Sequence, residues 1–132
     1  MRDERGAAAV EFALISVILL TLLIGIIQAS IFFWGYQTGA NAAREGARQY
    51  AVDPCNADAT DNDTKVRDFV GGAASGTIGV THVFSGSTPP ETGDEVTVTV
   101  TFSTPSIGGL LPDFPAVTKS ASARVEDVQD CS

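Results

Sequence analysis

The stretch FALISVILLTLLIGIIQASIFFWG, residues 12–35, decides the architecture of this chain. It carries no charge, and Ser16, Thr21, Gln28 and Ser30 are its polar members among Leu, Ile, Val, Phe and Ala. As an α-helix it is roughly 36 Å long, enough to cross a bilayer core of about 30 Å. Trp34 and Tyr36 stand at its far end, where amphipathic rings suit the headgroup layer. A core helix would have to be wrapped by the rest of the chain, which is too small to cover a helix that is oily on every side. A cleaved secretory signal has an apolar region of about 7 to 15 residues and ends at a small-x-small site. This run is longer, although ANA at 40–42 has that form.

Outside the span, composition narrows the function. The chain has 132 residues and a net charge of −8, from eight basic and sixteen acidic side chains. Nucleic-acid binding rests on Lys and Arg clusters, so DNA and RNA are set aside as partners. Downstream of Tyr36 there are six basic and thirteen acidic residues, which makes the polar remainder well solvated. No GxSxG, HExxH, P-loop or dinucleotide fingerprint occurs, and His82 has no sequence cue placing it beside a nucleophile. No enzyme activity and no cofactor is expected. Asp61, Asn62 and Asp63 lack the glycine and distant glutamate of an EF-hand, and two cysteines with one histidine offer too few ligands for zinc. Asn62-Asp63-Thr64 is also a glycosylation sequon, a pattern common by chance.

Beyond the span the helix continues through Ala40, Ala42, Ala43, Glu45, Ala47, Arg48 and Gln49, all good helix formers or compatible with one. Asp53-Pro54 supplies the stop, because the residue before proline is pushed out of the helical region. Gly35, Gly39, Ala43 and Ala47 recur every four residues, a small-residue row that lets another backbone approach closely. A neighbouring helix is the expected partner of Gly35 and Gly39. For Ala43 and Ala47 the choice between a neighbour and the protein's own sheet stays open. Arg44 and Arg48 form one charged face toward solvent or headgroups.

Residues 53–132 read as a small head. The segment 56–64 reads as a polar loop with a helix cap. Val66, Phe69, Val70 and Ala73 then give the i, i+3, i+4, i+7 face of a short helix ended by Gly71-Gly72. Strands are predicted at 77–84, 95–103 and 116–127. The second is the clearest, with Val96, Val98, Val100 and Phe102 on one face and Thr97, Thr99 and Thr101 on the other. The fold class is therefore α+β: a long N-terminal helix, then a short helix and an antiparallel sheet of about three strands. The loop PSIGGLLPDFP, 105–115, is apolar for a loop. Its Ile107, Leu110, Leu111 and Phe114 suit either a contact patch or a cover over a small core. Cys55 and Cys131 are the only cysteines. In an oxidising compartment they could close a loop of about 76 residues, worth roughly 4.5 kcal/mol on chain-entropy grounds, against the alternative of two free thiols.

The head of the chain supplies the motif. RGAAAVEF, residues 5–12, puts Glu11 at the mouth of the apolar run, where a carboxylate costs several kcal/mol unless it finds a partner. Gly6 and Glu11 at this spacing, followed by the uninterrupted span and then NAAREGARQYA at 41–51, resemble the TadE-like family, the minor pilins or pseudopilins of the tight-adherence (Tad) pilus apparatus. The resemblance covers residues 5–51 closely. The family commonly carries a proline a few residues after EFAL; Val17 stands in that region here, without the ring that would kink the helix. The resemblance implies a leader of residues 1–6, cut between Gly6 and Ala7 by a membrane-embedded prepilin peptidase. It implies a mature helix of residues 7–52, crossing the inner membrane over about 12–35, and a head, 53–132, on the extracytoplasmic side. Partners would be the membrane, that peptidase and other pilin and minor pilin subunits. Glu11 and Phe12 would serve subunit assembly, with Glu11 meeting the amine of a neighbour's Ala7. Glu11 could also stabilise its own helix N-terminus, a contribution of 0.3 to about 1 kcal/mol, though a helix end needs no particular spacing from a glycine. The count of Lys and Arg at the two ends of the span is a near tie, so orientation rests on the motif and on the export that cysteine pairing needs. A single-pass anchored binding module of the cell envelope is the alternative, and it would keep residues 1–6.

Overall fold

A computed structural model describes residues 3–54, 59–86, 89–107, 114–126 and 128. In chain order the elements are α1 (Asp3–Val52), α2 (Ala59–Val70), a 3-10 turn (Gly71–Ala73), β1 (Ser75–Phe84), β2 (Glu95–Ser103) and β3 (Val117–Arg124). The strands form an antiparallel sheet in the order β1-β2-β3. The fold is thus α+β, with one helix much longer than everything else.

Alternation in β2 sets the core. Val96, Val98, Val100 and Phe102 are buried, and β2 is central, with Val98 opposite His82 of β1 and Ala121 of β3. On the other face Thr97, Thr99 and Thr101 hydrogen-bond across to Ser122, Ser120 and Thr118 at 3.1, 2.9 and 3.2 Å. That face is left to solvent, so the hydroxyl pairs satisfy each other without needing a cover. Both helices lie on the apolar face: α1 packs on β2 and β3, and α2 on α1 and β1. Ala42, Ala43, Ala47 and Ala51 let α1 come close to the sheet.

Backbone hydrogen bonds tie the β1–β2 turn and the end of α1 to the segment after β3. Gly93, at φ +98°, takes the left-handed turn between β1 and β2, and its N–H donates to the Val125 carbonyl at 2.9 Å. At the end of α1 the Glu126 N–H donates to the Ala51 carbonyl at 3.3 Å, satisfying one of the carbonyls a helix end leaves open.

Three details depart from the sequence reading. The polar segment expected as a loop over 56–64 is helical from Ala59, and residues 56–58 lie outside the described set. Phe69, expected on the buried face of that helix, is 56% exposed. The buried stripe is instead Asn62, Val66 and Val70, spaced by four, with Ala73 beyond. Because α2 is received by a narrow strip of small residues on α1, a side chain about 100° round from Val70 misses it. Burial of Asn62 also takes the sequon out of reach. β1 starts at Ser75, two residues before the expected 77, with a register irregularity between Ser75 and Gly79.

Candidate membrane and assembly surface

The head covers only part of α1. From Gly6 to Leu23 every residue is exposed except the half-buried Ser16; Gln28 is the first to be fully covered. The helix is long and apolar enough to cross a membrane, and its most apolar window, of mean hydropathy 2.7, is bare of the head. The expected span of about 12–35 therefore overlaps the head at its far end, where Gln28 and Gly35 are buried.

Each polar side chain of that span is already satisfied. Ser16 donates to the Ala13 carbonyl, Thr21 to Val17 and Ser30 to Ile26, each at 2.8 Å. A hydroxyl that bonds back to its own helix can face hydrocarbon without an open donor. Gln28 works differently. Its Nε2 donates to the Pro105 carbonyl at 3.1 Å, and its Oε1 accepts from the Ile107 N–H at 2.9 Å, with 2% of the residue exposed. One amide thus ties the segment after β2 to the helix. Four residues on, Phe32 stacks on Phe114, ring centroids 4.7 Å apart and 22° from parallel. Ile107 and Phe114 keep 37% and 38% of their surface exposed. Leu110 and Leu111 lie outside the described residues.

At the N-terminal end Gly6, Ala7, Glu11 and Phe12 are all helical and exposed. Among the described residues the Glu11 carboxylate has no hydrogen-bond or ion-pair partner. A methyl group built on Gly6 would meet nothing within 4 Å, so no packing of the protein's own holds this turn. Glycine also weakens a helix by roughly 1 kcal/mol relative to alanine, which lowers the cost of opening this turn into an extended strand.

The small-residue row is turned inward. Methyl groups on Gly35 would collide with Thr104, and on Gly39 would approach Phe102 Cε1 to 2.9 Å; Ala43 and Ala47 are buried in the same interface. The expectation of a neighbouring helix against Gly35 and Gly39 is corrected: β2 and its exit occupy that approach, because the head reaches further down the helix than its start at residue 53 suggests. Gly46, which the fourfold spacing passes over, faces both Val66 of α2 and Val98 of β2.

Near the distal end the charges are internally paired. Arg48 binds Glu45 at 3.0 Å, and the Arg48 and Gln49 hydrogen bonds hold the Glu45 carboxyl below its usual range. Arg44 is exposed. Asp61 pairs with Lys65 at 2.6 Å, and Asp63 accepts from the Tyr50 hydroxyl at 2.8 Å, so both carboxylates of the calcium reading are engaged. No cluster of metal-binding side chains occurs among the described residues. His82 stacks on Tyr50 with centroids 4.4 Å apart and meets Phe84 edge-on, a packing role at the margin of the core. Cys55 and Cys131 lie outside the described residues.

A bare apolar half-helix continuous with a half that carries a small α+β head defines a membrane-anchor-like, helix-plus-head protein. Over residues 6–48 the chain matches the family described as TadE-like protein. That segment holds Gly6, Ala7, Glu11, Phe12, Gln28 and the whole small-residue row. No curated protein and no solved structure matches the chain.

Proposed function

We propose that the protein is a minor pilin or pseudopilin taking part in assembly of a Tad-type adhesion pilus. The observation that carries this reading is the unpartnered Glu11, five residues after Gly6, on a membrane-length helix half that the head leaves bare. The TadE-like match over the same residues supports it. In this reading prepilin peptidase removes residues 1–6 and the head lies on the extracytoplasmic side of the inner membrane. The bare half then packs against other pilin and minor pilin helices in the membrane or filament. Glu11 meets the new amine of Ala7 on a neighbour. In a surface-like effective dielectric such a pair at about 4 Å attracts by roughly 4 kcal/mol before desolvation is subtracted, against about 1 kcal/mol or less for a carboxylate serving its own helix end.

Intact-mass measurement on protein from cells with an active prepilin peptidase tests the processing step, with a chain beginning at Ala7 as the expected result. A retained Met1 or Arg2 terminus sinks the pilin reading and fits the anchored binding module. With expression matched, Glu11→Gln should be processed normally and yet lose pilus output. Normal piliation in that strain would leave Glu11 only its own helix to stabilise.

A further inference from the structure

The bare part of α1 has a definite length. Counted from Ala7 to Ile27, the last exposed residue before Gln28, it is roughly 32 Å of helix, close to the about 30 Å of a bilayer's hydrocarbon core. If that stretch fills the core, the hydrocarbon boundary falls at Gln28. Glu11 then lies about 26 Å away, just inside the opposite boundary, where a carboxylate can reach an interfacial amine. Among the described residues at the end of the head that begins at Gln28, Ile107 and Phe114 are exposed and held against the helix beside the exposed Ser106, and Phe33 and Trp34, 62% and 52% exposed, stand on the next turns. Aromatic and aliphatic side chains gathered within about two turns of a membrane-crossing helix are what a headgroup–acyl boundary favours.

We propose that Ile107 and Phe114 rest in the headgroup–acyl boundary of the bilayer that α1 crosses, and that Gln28 is the positioning residue that holds them at that depth. The proposal rests on the membrane-crossing part of the reading above and adds a second point of membrane contact. Two contacts on different elements fix the tilt of the head and the depth of the helix, which one span alone leaves free. They also give assembly a step to overcome, because withdrawing the subunit into a filament must lift both side chains out of lipid.

The protein has a single tryptophan, so a probe can be moved. In a Trp34→Phe background, Phe114→Trp and, separately, Ile107→Trp report on the patch, and Val52→Trp, at the distal end of α1, reports on water. The full chain is reconstituted in phosphatidylethanolamine–phosphatidylglycerol vesicles whose acyl chains carry a spin label at a shallow or a deep position. The expected result is several-fold stronger quenching by the shallow label in the Phe114→Trp and Ile107→Trp chains than in the Val52→Trp chain, with emission shifted to the blue. Adding Gln28→Ala should reduce that quenching while the chain still floats with the vesicles. Quenching no greater than at position 52 overturns the proposal, and shielding from acrylamide without lipid quenching overturns it in favour of a neighbouring subunit. Unchanged quenching in Gln28→Ala overturns the role of the amide. A chain that does not float with vesicles overturns the membrane reading itself, whereas a floating chain whose probe at position 114 is wet overturns only the second contact.

Discussion

Gly25 and Gly46 lie in one helix and have opposite tolerance for a methyl group. A Cβ at Gly25 meets nothing within 4 Å, whereas at Gly46 it would sit 2.8 Å from Val66 Cγ2 and 3.1 Å from Val98 Cγ1. Alanine gains roughly 1 kcal/mol of helix propensity at either site, but overpacking a filled core costs about 1–3 kcal/mol. Gly46→Ala is therefore expected to destabilise the head by up to about 2 kcal/mol, and Gly25→Ala, on the half of α1 that the head leaves bare, to leave the head unchanged. Denaturant unfolding of the detergent-solubilised chain checks both, and equal midpoints for the two variants would mean that α2 is not seated on Gly46. The fourfold row of Gly35, Gly39, Ala43 and Ala47 was legible in the sequence because a period shows itself. Gly46 was not, since it stands off the row, and only the positions of Val66 on α2 and Val98 on β2 give it a role. Gln28 left a trace in the sequence, as the one amide in an otherwise apolar run, but not its partners, which lie 77 and 79 residues away.

At the level of elements, α2 is fastened to α1 by a polar contact as well as by Val66 and Val70. Tyr50, 3% exposed, donates to Asp63, whose other oxygen lies 3.9 Å from Arg67. Burial first, and then the Asp63 hydrogen bond and charge, push the Tyr50 phenol well above its ordinary value of 10.0. A group whose pKa is raised by folding binds its proton more tightly in the folded state. Its contribution is complete below about pH 10 and disappears as pH climbs toward the folded value. Tyr36 is displaced the other way: the Lys119 ammonium, its nitrogen 3.2 Å from the ring centroid, holds the phenol below the usual value. The two tyrosines should thus ionise in separate steps, Tyr36 first, with the Tyr50 step coinciding with loss of the head's fold. Phenolate absorbance followed together with near-ultraviolet circular dichroism checks this. One joint step with the fold intact would contradict it. Tyr50→Phe should remove the second step and cost about 1.5–3 kcal/mol at neutral pH, the worth of a hydrogen bond to a charged acceptor. In the sequence α2 was visible as a helix, but its buried side was misjudged at Phe69, because periodicity gives the spacing of a face and not its width.

For the molecule as a whole, the ends of the head meet. The hydrogen bond from Glu126 to Ala51 joins the residue four before Cys55 to the residue five before Cys131. A disulfide between them would close the long loop that spans the entire head, worth roughly 4.5 kcal/mol on chain-entropy grounds. For a head of this size that is a large share of its stability. Exported protein is expected to resist alkylation at both thiols while folded and unreduced, and its melting temperature should fall on reduction. Rapid labelling of both cysteines without reductant would refute the bridge.

By itself the sequence determined the long apolar helix, its stop at Asp53-Pro54, the inward face of β2 and the α+β class. Each of these is written in near-neighbour chemistry: hydrophobicity over a membrane length, the steric demand of proline, and alternation with period two. The likeness to the TadE-like family over residues 6–48 was legible for the same reason. Only the tertiary structure decided how far down α1 the head descends, that β2 rather than a neighbouring helix fills the approach at Gly35 and Gly39, and that Gln28 fastens Ile107 to the helix. Those outcomes depend on contacts between residues far apart in the chain, where the energy gained is set by shape and reach after the elements have docked, and no local pattern records it.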